Sequence, residues 1–515
     1  MDLGSALSIA SSGLNGIEYQ YSVISQNVAN ASTAGYASES ASVTSAVAGN
    51  QGTGVRIGQT VVNVSPYLQS SLYTQNAKVS ALTASSNSLA AVESVQGSTS
   101  SNSGSTETLS DQLGNVQSAL TSLVSTPLES SAQTAVITAA ISLTDTIHTL
   151  SSTYTQQRQT AEDTIVSTVS TINQNLTQIG QLSKQIMGLK AVGADTSSLE
   201  NSRLEVMNDL SSEVGVKFTE TSKGDMIVTT EDGTKLPTRP DQINLNDNTV
   251  TLPSNTWPLS ATDNGTANTT LTDSMYYKAG DSNSAIAGVT VANAKGTTTD
   301  ITSHLTSGTL GANITLRDTT YPTMQAQLDS FSATLINRFS NAGMPLFSDS
   351  SGNPTVDTRQ GSTLTGLSAG LQVTSSYFHD ASTLAPSGCI TTISNVLDKT
   401  FGTDSSDVSD KLKAPSVRLG ASGTLSTGYV GNQGLVALAT ALTSAQGATI
   451  STASTNLTYA STVQTTISAK VTNVSGVDVN TEMSKIVALQ NAYTANAKII
   501  SFVQTMFSAL LDAIN

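Results

Sequence analysis

Residues 480–515 read NTEMSKIVALQNAYTANAKIISFVQTMFSALLDAIN. Stepped alternately by four and three from Val479, the stretch aligns Val479, Met483, Ile486, Gln490, Tyr493, Ala497, Ile500, Gln504, Phe507, Leu511 and Ile514. That spacing is a heptad seam, apolar apart from two glutamines, and it predicts a long helix that packs along a second one. Asp478 or Asn480 can cap its first turn, because a short side-chain oxygen accepts from the free backbone N–H groups there. The opposite end repeats the pattern through Leu3, Leu7, Ala10, Leu14, Ile17, Tyr21, Ile24 and Val28. NASTAGY, residues 30–36, then stops the helix, with Gly35 free to take the left-handed conformation. Helical rise makes the two segments roughly 40 and 54 Å long. Matching seams at opposite ends predict that the terminal helices pair. Two helices lying on the protein's own core, or an ordinary terminal coiled coil, would give the same pattern.

Composition narrows the class. The chain has 515 residues, a formal net charge of −15, 11% charged and only 4% aromatic residues. Ser, Thr, Ala, Asn and Gln fill the remainder, which suits long helices and packed assemblies better than an enzyme with a deep pocket. The acidic balance and the absence of any basic run argue against nucleic acid and against an anionic membrane as partners. No stretch reaches the ~18 unbroken apolar residues of a membrane span. The first twenty residues carry Asp2 and no Lys or Arg, so export by a cleaved signal peptide is not expected. Cys389 is alone, which excludes a disulfide framework and a cysteine zinc site and predicts a small buried apolar side chain.

The pattern along the chain is nested. GVRIGQTVVNVSPYLQSSL (54–72) starts extended, and helical patterning runs from about 66 to 213. Leu109, Leu113, Val116, Leu120 and Leu123 mark one amphipathic helix. Ile165, Val169, Ile172, Leu176, Ile179, Leu182 and Ile186 mark a longer one. Its outer positions are neutral polar residues, a surface suited to close packing between subunits. From 214, VGVKFTE, DMIVTT and TLPSNTWPL are short strands with turn signals such as Asp232-Gly233. Trp257 reads as a core anchor. Leu328, Phe331, Leu335 and Phe339 share one face of a helix at about 322–343. Residues 346–430 are Gly-, Ser-, Thr- and Asp-rich with strands expected at GLQVTSSYF and PSVRLG, and helix returns over about 431–473.

The expected fold is mainly α with β-rich inserted domains and a terminal coiled coil of paired N- and C-terminal helices. Four units follow: 1–35 with 477–515; 36–215 with 320–345 and 431–476; 216–319; and 346–430.

Little catalytic chemistry is on offer. His148, His304 and His379 are far apart and none has a metal-like neighbour at i+4. His379-Asp380 lacks a nucleophile motif. Asp404, Asp407 and Asp410 recur every three residues; such a set could bind a cation, but carboxylates near a helix start are explained by capping and the helix dipole. GNQGTGVRIG (49–58) lacks the lysine of a phosphate loop. No enzyme activity, cofactor or metal is expected. A catalytic or surface-binding module would need a clustered constellation within 216–430, and none is visible.

The two ends also carry a resemblance. Residues 12–36 resemble the N-terminal signature of the bacterial flagellar axial proteins (rod, hook and hook-associated) through Ser12, Gly13, Leu14, Asn27, Ala29, Asn30, Thr33, Gly35 and Tyr36. Residues 475–500 are similar to their C-terminal signature through Gly476, Val477, Glu482, Gln490, Tyr493, Ala495, Lys498 and Ile500. Ala34, Asn480 and Thr481 depart from the family pattern. Interior stretches 152–218, 307–339 and 431–442 are similar to hook-associated proteins of the hook–filament junction. The resemblance implies a structural subunit forming a ring on the hook and templating filament growth. It implies as partners further copies of itself, the hook protein, the second junction protein, an export chaperone and the flagellar type III export apparatus. It also implies location on the extracellular flagellum. The assembly interface is then expected at Leu3, Leu7, Leu14, Ile17, Tyr21, Ile24, Val28, Val479, Met483, Ile486, Tyr493, Ile500, Phe507, Leu511 and Ile514. The alternatives are another axial role, such as hook or distal rod protein, or a surface-binding module on an axial scaffold.

Overall fold

A computed structural model describes residues 3–33, 35–48, 51–97, 107–243, 257–261, 270–281, 285–292, 298–386, 388–401 and 412–513. Ala34, Asp404, Asp407, Asp410, Ile514, the start of GNQGTGVRIG and the TLPSNT of the third expected strand lie outside the described residues.

The chain opens with α1 (Leu3–Ala29), followed by β1 (Glu39–Ser40), the hairpin β2 (Val43–Ala48) and β3 (Gln51–Ile57), and β4 (Val61–Val62). Four helices follow: α2 (Pro66–Gln96), α3 (Leu109–Ser125), α4 (Ser130–Ala191) and α5 (Ser197–Glu213). The β-rich insert holds β5 (Val216–Glu220), β6 (Met226–Thr230), β7 (Lys235–Leu236), β8 (Leu259–Ser260), β9 (Thr290–Ala292) and β10 (Thr298–Asp300). It forms two antiparallel three-stranded sheets, β5-β6-β7 and β10-β9-β8. Helix returns as α6 (Gly308–Thr315) and α7 (Tyr321–Asn341), joined by a π-helical turn at Leu316–Thr320. A looser excursion carries β11 (Phe347–Ser348), β12 (Gln372–Val373), α8 (Ser375–His379), α9 (Cys389–Thr400), β13 (Val417–Leu419) and β14 (Leu425–Ser426). The long helices α10 (Leu435–Ser475) and α11 (Val479–Asp512) close the chain.

Helix α4 has 62 residues, about 93 Å at 1.5 Å per residue, and serves two cores. Its first half joins α3, α7, the start of α10 and residues of the 346–430 excursion in one apolar cluster. Its second half packs with α5, α6 and the sheets of the insert. Leu113, Val116, Leu120 and Leu123 of α3 are fully buried, as their spacing predicts. Thr108 and Asp111 form a reciprocal capping box at its start. Helices α2 and α10 run antiparallel through neutral contacts, Gln75 to the Ala460 carbonyl at 2.7 Å and Gln96 to Gln446 at 2.7 Å. Gln446 also accepts from Tyr154 and donates to Gln327, so one buried glutamine ties α2, α4, α7 and α10 together.

One strand is shorter than expected. GLQVTSSYF pairs with β11 only at Gln372 and Val373, then coils into α8. With no further strand edge to bond, the backbone satisfies itself locally, and Tyr377 and Phe378 N–H groups donate to the Thr374 carbonyl. Trp257 is buried, and Asp232-Gly233 forms the β6–β7 turn with Gly233 at φ +100°.

Candidate assembly interface

The terminal helices pair, antiparallel, so that Asn27 meets Glu482 near one end and Gly13 meets Asn496 farther along. Asp478 caps α11 by accepting from the Asn480 N–H at 3.0 Å and the Thr481 N–H at 3.4 Å. The α1 face also receives the β2–β3 hairpin. Ser12 Oγ accepts from the Val55 N–H at 3.2 Å, and Gly54 sits at φ +128° where a Cβ would strike that hydroxyl. A glycine is therefore required at this crossing.

Several residues of the end signatures converge on one polar knot. Asn27 donates to the Glu39 carbonyl and accepts from the Glu39 N–H, both at 2.8 Å, so its amide continues the backbone pairing of the strand. Its Oδ1 also accepts from Tyr36 OH at 3.1 Å. Glu39 and Glu482, both buried, flank this amide. Asn201 donates to Glu39 at 2.8 Å, and Lys485 pairs with Glu482 at 2.6 Å. Burial, then the charges of Glu39 and Glu482, hold the Tyr36 hydroxyl above its ordinary range. Asn30 donates to the Gln26 carbonyl in the last turn of α1, and Gly35 has φ +81°. Gln490 is exposed beside a groove lined by Ile17, Tyr21 and Tyr493.

On α1 the expected seam is covered. Ile17 and Ile24 are buried, and Leu3, Leu7, Leu14, Tyr21 and Val28 are half-buried. On α11 the covered face is rotated. Glu482, Leu489, Asn496 and Val503 recur at seven-residue spacing toward α1, flanked by half-buried Ile486 and Ile500. Val479, Met483, Tyr493, Phe507 and Leu511 stay exposed in the single chain. The column that faces α1 thus lies one residue before the Met483–Gln490–Ala497–Gln504 column of the expected seam, because one partner helix covers one side and Asn27 and Lys485 draw Glu482 into that side.

Sequence spacing missed a further set. Val487, Ile499, Phe502, Met506 and Leu510 are also exposed, Phe502 at 69%. The signal was present in IISFVQTMFSALL (499–511), whose apolar residues cover more than half of the circumference and leave Ser501, Gln504, Thr505 and Ser508 as one polar strip, an apolar face wider than a single partner helix covers.

The histidines each have a local bond: His148 with the Leu371 carbonyl, His304 with Asp232, and His379 with the Ser375 carbonyl. Cys389 is buried. Among the described residues no cluster of His, Cys, Asp or Glu could hold a metal, and no helix is long and apolar enough to cross a membrane.

Residues 96–354 match the family described as the flagellar hook-associated protein FlgK helical domain. Residues 470–513 match the flagellar basal body rod FlgEFG protein C-terminal family. No curated protein matches the chain. Among solved structures, the flagellar hook junction protein FlgK from Burkholderia pseudomallei is similar at 20% identity and a TM-score of 0.41. That match covers 55% of this chain and 45% of the other, so it takes in less than half of that protein.

Proposed function

We propose a function from one premise: the chain belongs to the FlgK family of flagellar hook-associated proteins. On that premise it is a structural subunit of the flagellum, placed at the boundary between hook and filament, where copies form a ring on the hook and template filament growth. The observation that carries this reading is α11, whose distal half presents an apolar face wider than α1 covers and leaves Phe502, Leu510 and Leu511 exposed in the single chain. Covering that face takes more than one partner helix, and exposed apolar area of this extent drives association. The proposed interface comprises the terminal pair, from Leu3 to Val28 on α1 and from Val479 to Leu511 on α11, with Ile514 beyond it in the sequence.

The four units expected from the sequence then take separate roles. The pair 1–35 with 477–515 lines the tube, the helical unit makes lateral contacts, and 216–319 and 346–430 face outward. Proposed partners are the hook protein, the second junction protein, and an export chaperone that covers α11 before passage through the type III apparatus.

The test is complementation in a flagellated strain lacking its own copy of this gene. The full chain should restore filaments, whereas a chain ending at Gln490 should leave bare hooks by electron microscopy, although its helical unit still melts cooperatively. Filaments grown on the shortened chain would refute the role assigned to α11.

A further inference from the structure

The helix from Gly308 to Asn341 is interrupted at the π turn, and Pro322 explains where. The Tyr321 N–H donates to the carbonyl of Leu316, five residues back, instead of to Arg317. The next residue that could serve Arg317 is Pro322, which has no N–H. The Arg317 carbonyl is therefore left without a helical donor, inside the protein, where an unpaired carbonyl is costly. Arg158 of α4 supplies one, with Nε at 2.8 Å. The same guanidinium grips two carbonyls of the insert, Thr272 at 3.1 Å and Met275 at 2.7 Å. Arg158 is almost fully buried, and every bond recorded for it is to a main-chain carbonyl.

One turn farther along α4, Glu162 pairs at 2.6 Å with Arg317, itself fully buried and bidentate to Asp318. The Arg317 guanidinium lies 5.7 Å from the Tyr277 ring centre. Beside the turn lies a cavity of about 320 Å³ lined by Asp273, Tyr276, Tyr277, Asp318 and Thr319. Helix kink, insert and bundle thus meet at one joint, with open volume next to it.

We propose that the π turn is a two-position hinge between the helical bundle and the 216–319 insert, with Arg158 as its latch. In the second position the turn winds to α geometry. Tyr321 N–H then bonds the Arg317 carbonyl, and Asp318 becomes the residue orphaned by Pro322. A one-residue change of register rotates the preceding helix by about 100° relative to α7. That rotation withdraws Arg317 from Glu162 and removes one of the three acceptors of Arg158. The two positions are discrete because each leaves a different single carbonyl to be satisfied from outside the helix.

Hydrogen exchange on the full chain, read by mass spectrometry, tests the hinge. Arg158→Met should speed exchange in segments 270–278 and 316–322 together, by about tenfold, while α3 and the β5–β6 hairpin stay as in the parent. Arg158→Lys should fall between, since one ammonium cannot span three carbonyls in a fixed fork. Pro322→Ala restores a donor, and should slow exchange at 316–322 while speeding it at 270–278. The hinge is refuted if Arg158→Met leaves 270–278 within about twofold of the parent, or loosens α3 equally, as an ordinary core residue would. Should that variant not fold, Pro322→Ala decides: unchanged exchange at 270–278 refutes the latch.

Discussion

At the scale of single residues, two buried polar groups make testable commitments. Asn27 uses both ends of its amide on the Glu39 backbone, donating from Nδ2 to the carbonyl and accepting at Oδ1 from the N–H. Asn27→Asp keeps the shape but removes the donor and places a third carboxylate beside Glu39 and Glu482. We expect a loss of about 1–3 kcal/mol in urea unfolding, with faster exchange of the Glu39 amide; an unchanged midpoint would contradict the knot. Asp329 is fully buried, bonded by Ser368 N–H and Oγ, Gly366 N–H and Gln325. Burial raises its pKa from 3.8 to about 6, against those hydrogen bonds. Between these values the folded chain holds a proton that the unfolded chain has lost. Its contribution to stability therefore declines as pH rises through that window and is level above it. Asp329→Asn should abolish this decline, and parallel melting profiles for parent and variant between pH 4 and pH 7 would show the assignment to be mistaken.

At the scale of elements, the contrast between α3 and α11 separates folding from assembly. Leu120 of α3 has no exposed surface, and Leu120→Ala should cost about 2–5 kcal/mol through lost contact and a cavity. Phe502 of α11 touches mostly solvent, so Phe502→Ser should change the melting of the single chain by less than about 0.5 kcal/mol. The same substitution should nevertheless reduce incorporation into flagella in the complementation assay. A variant that melts early and still assembles would reverse the roles given to the two helices. Heptad spacing revealed both helices, since a buried face imposes its period on the sequence. It did not reveal which column of α11 faces α1, because the apolar face of that helix is wider than one partner covers.

At the scale of the whole molecule, the chain runs outward through helices, into two excursions, and back, which brings α1 and α11 together. The terminal pair lacks enclosure, whereas the α3–α4–α7 core is closed over by its own side chains. Brief subtilisin digestion of the monomer should therefore cut within α1 and α11 before it cuts α4. Protected ends in a monomer would mean the pair needs no neighbours, and the assembly argument would fall. The excursion at 346–430 was the least legible segment. Apart from α9, where Cys389, Ile393, Val396 and Thr400 are buried at steps of four and three, its short strands and single-turn helices follow no period, and its core residues, Leu371, Ile393 and Val396 among them, pack into the bundle's own cluster.

The sequence by itself determined the helical class, the β-rich insert, the paired ends and their signatures, because periodicity, glycine placement and short-range capping are local properties of the chain. The tertiary structure alone decided the one-residue rotation of the α11 contact face, the Asn27–Glu39–Glu482 knot and the Arg158 grip on three carbonyls. Each of those depends on groups far apart in sequence satisfying one another away from water, and a local pattern carries no record of which distant group will arrive.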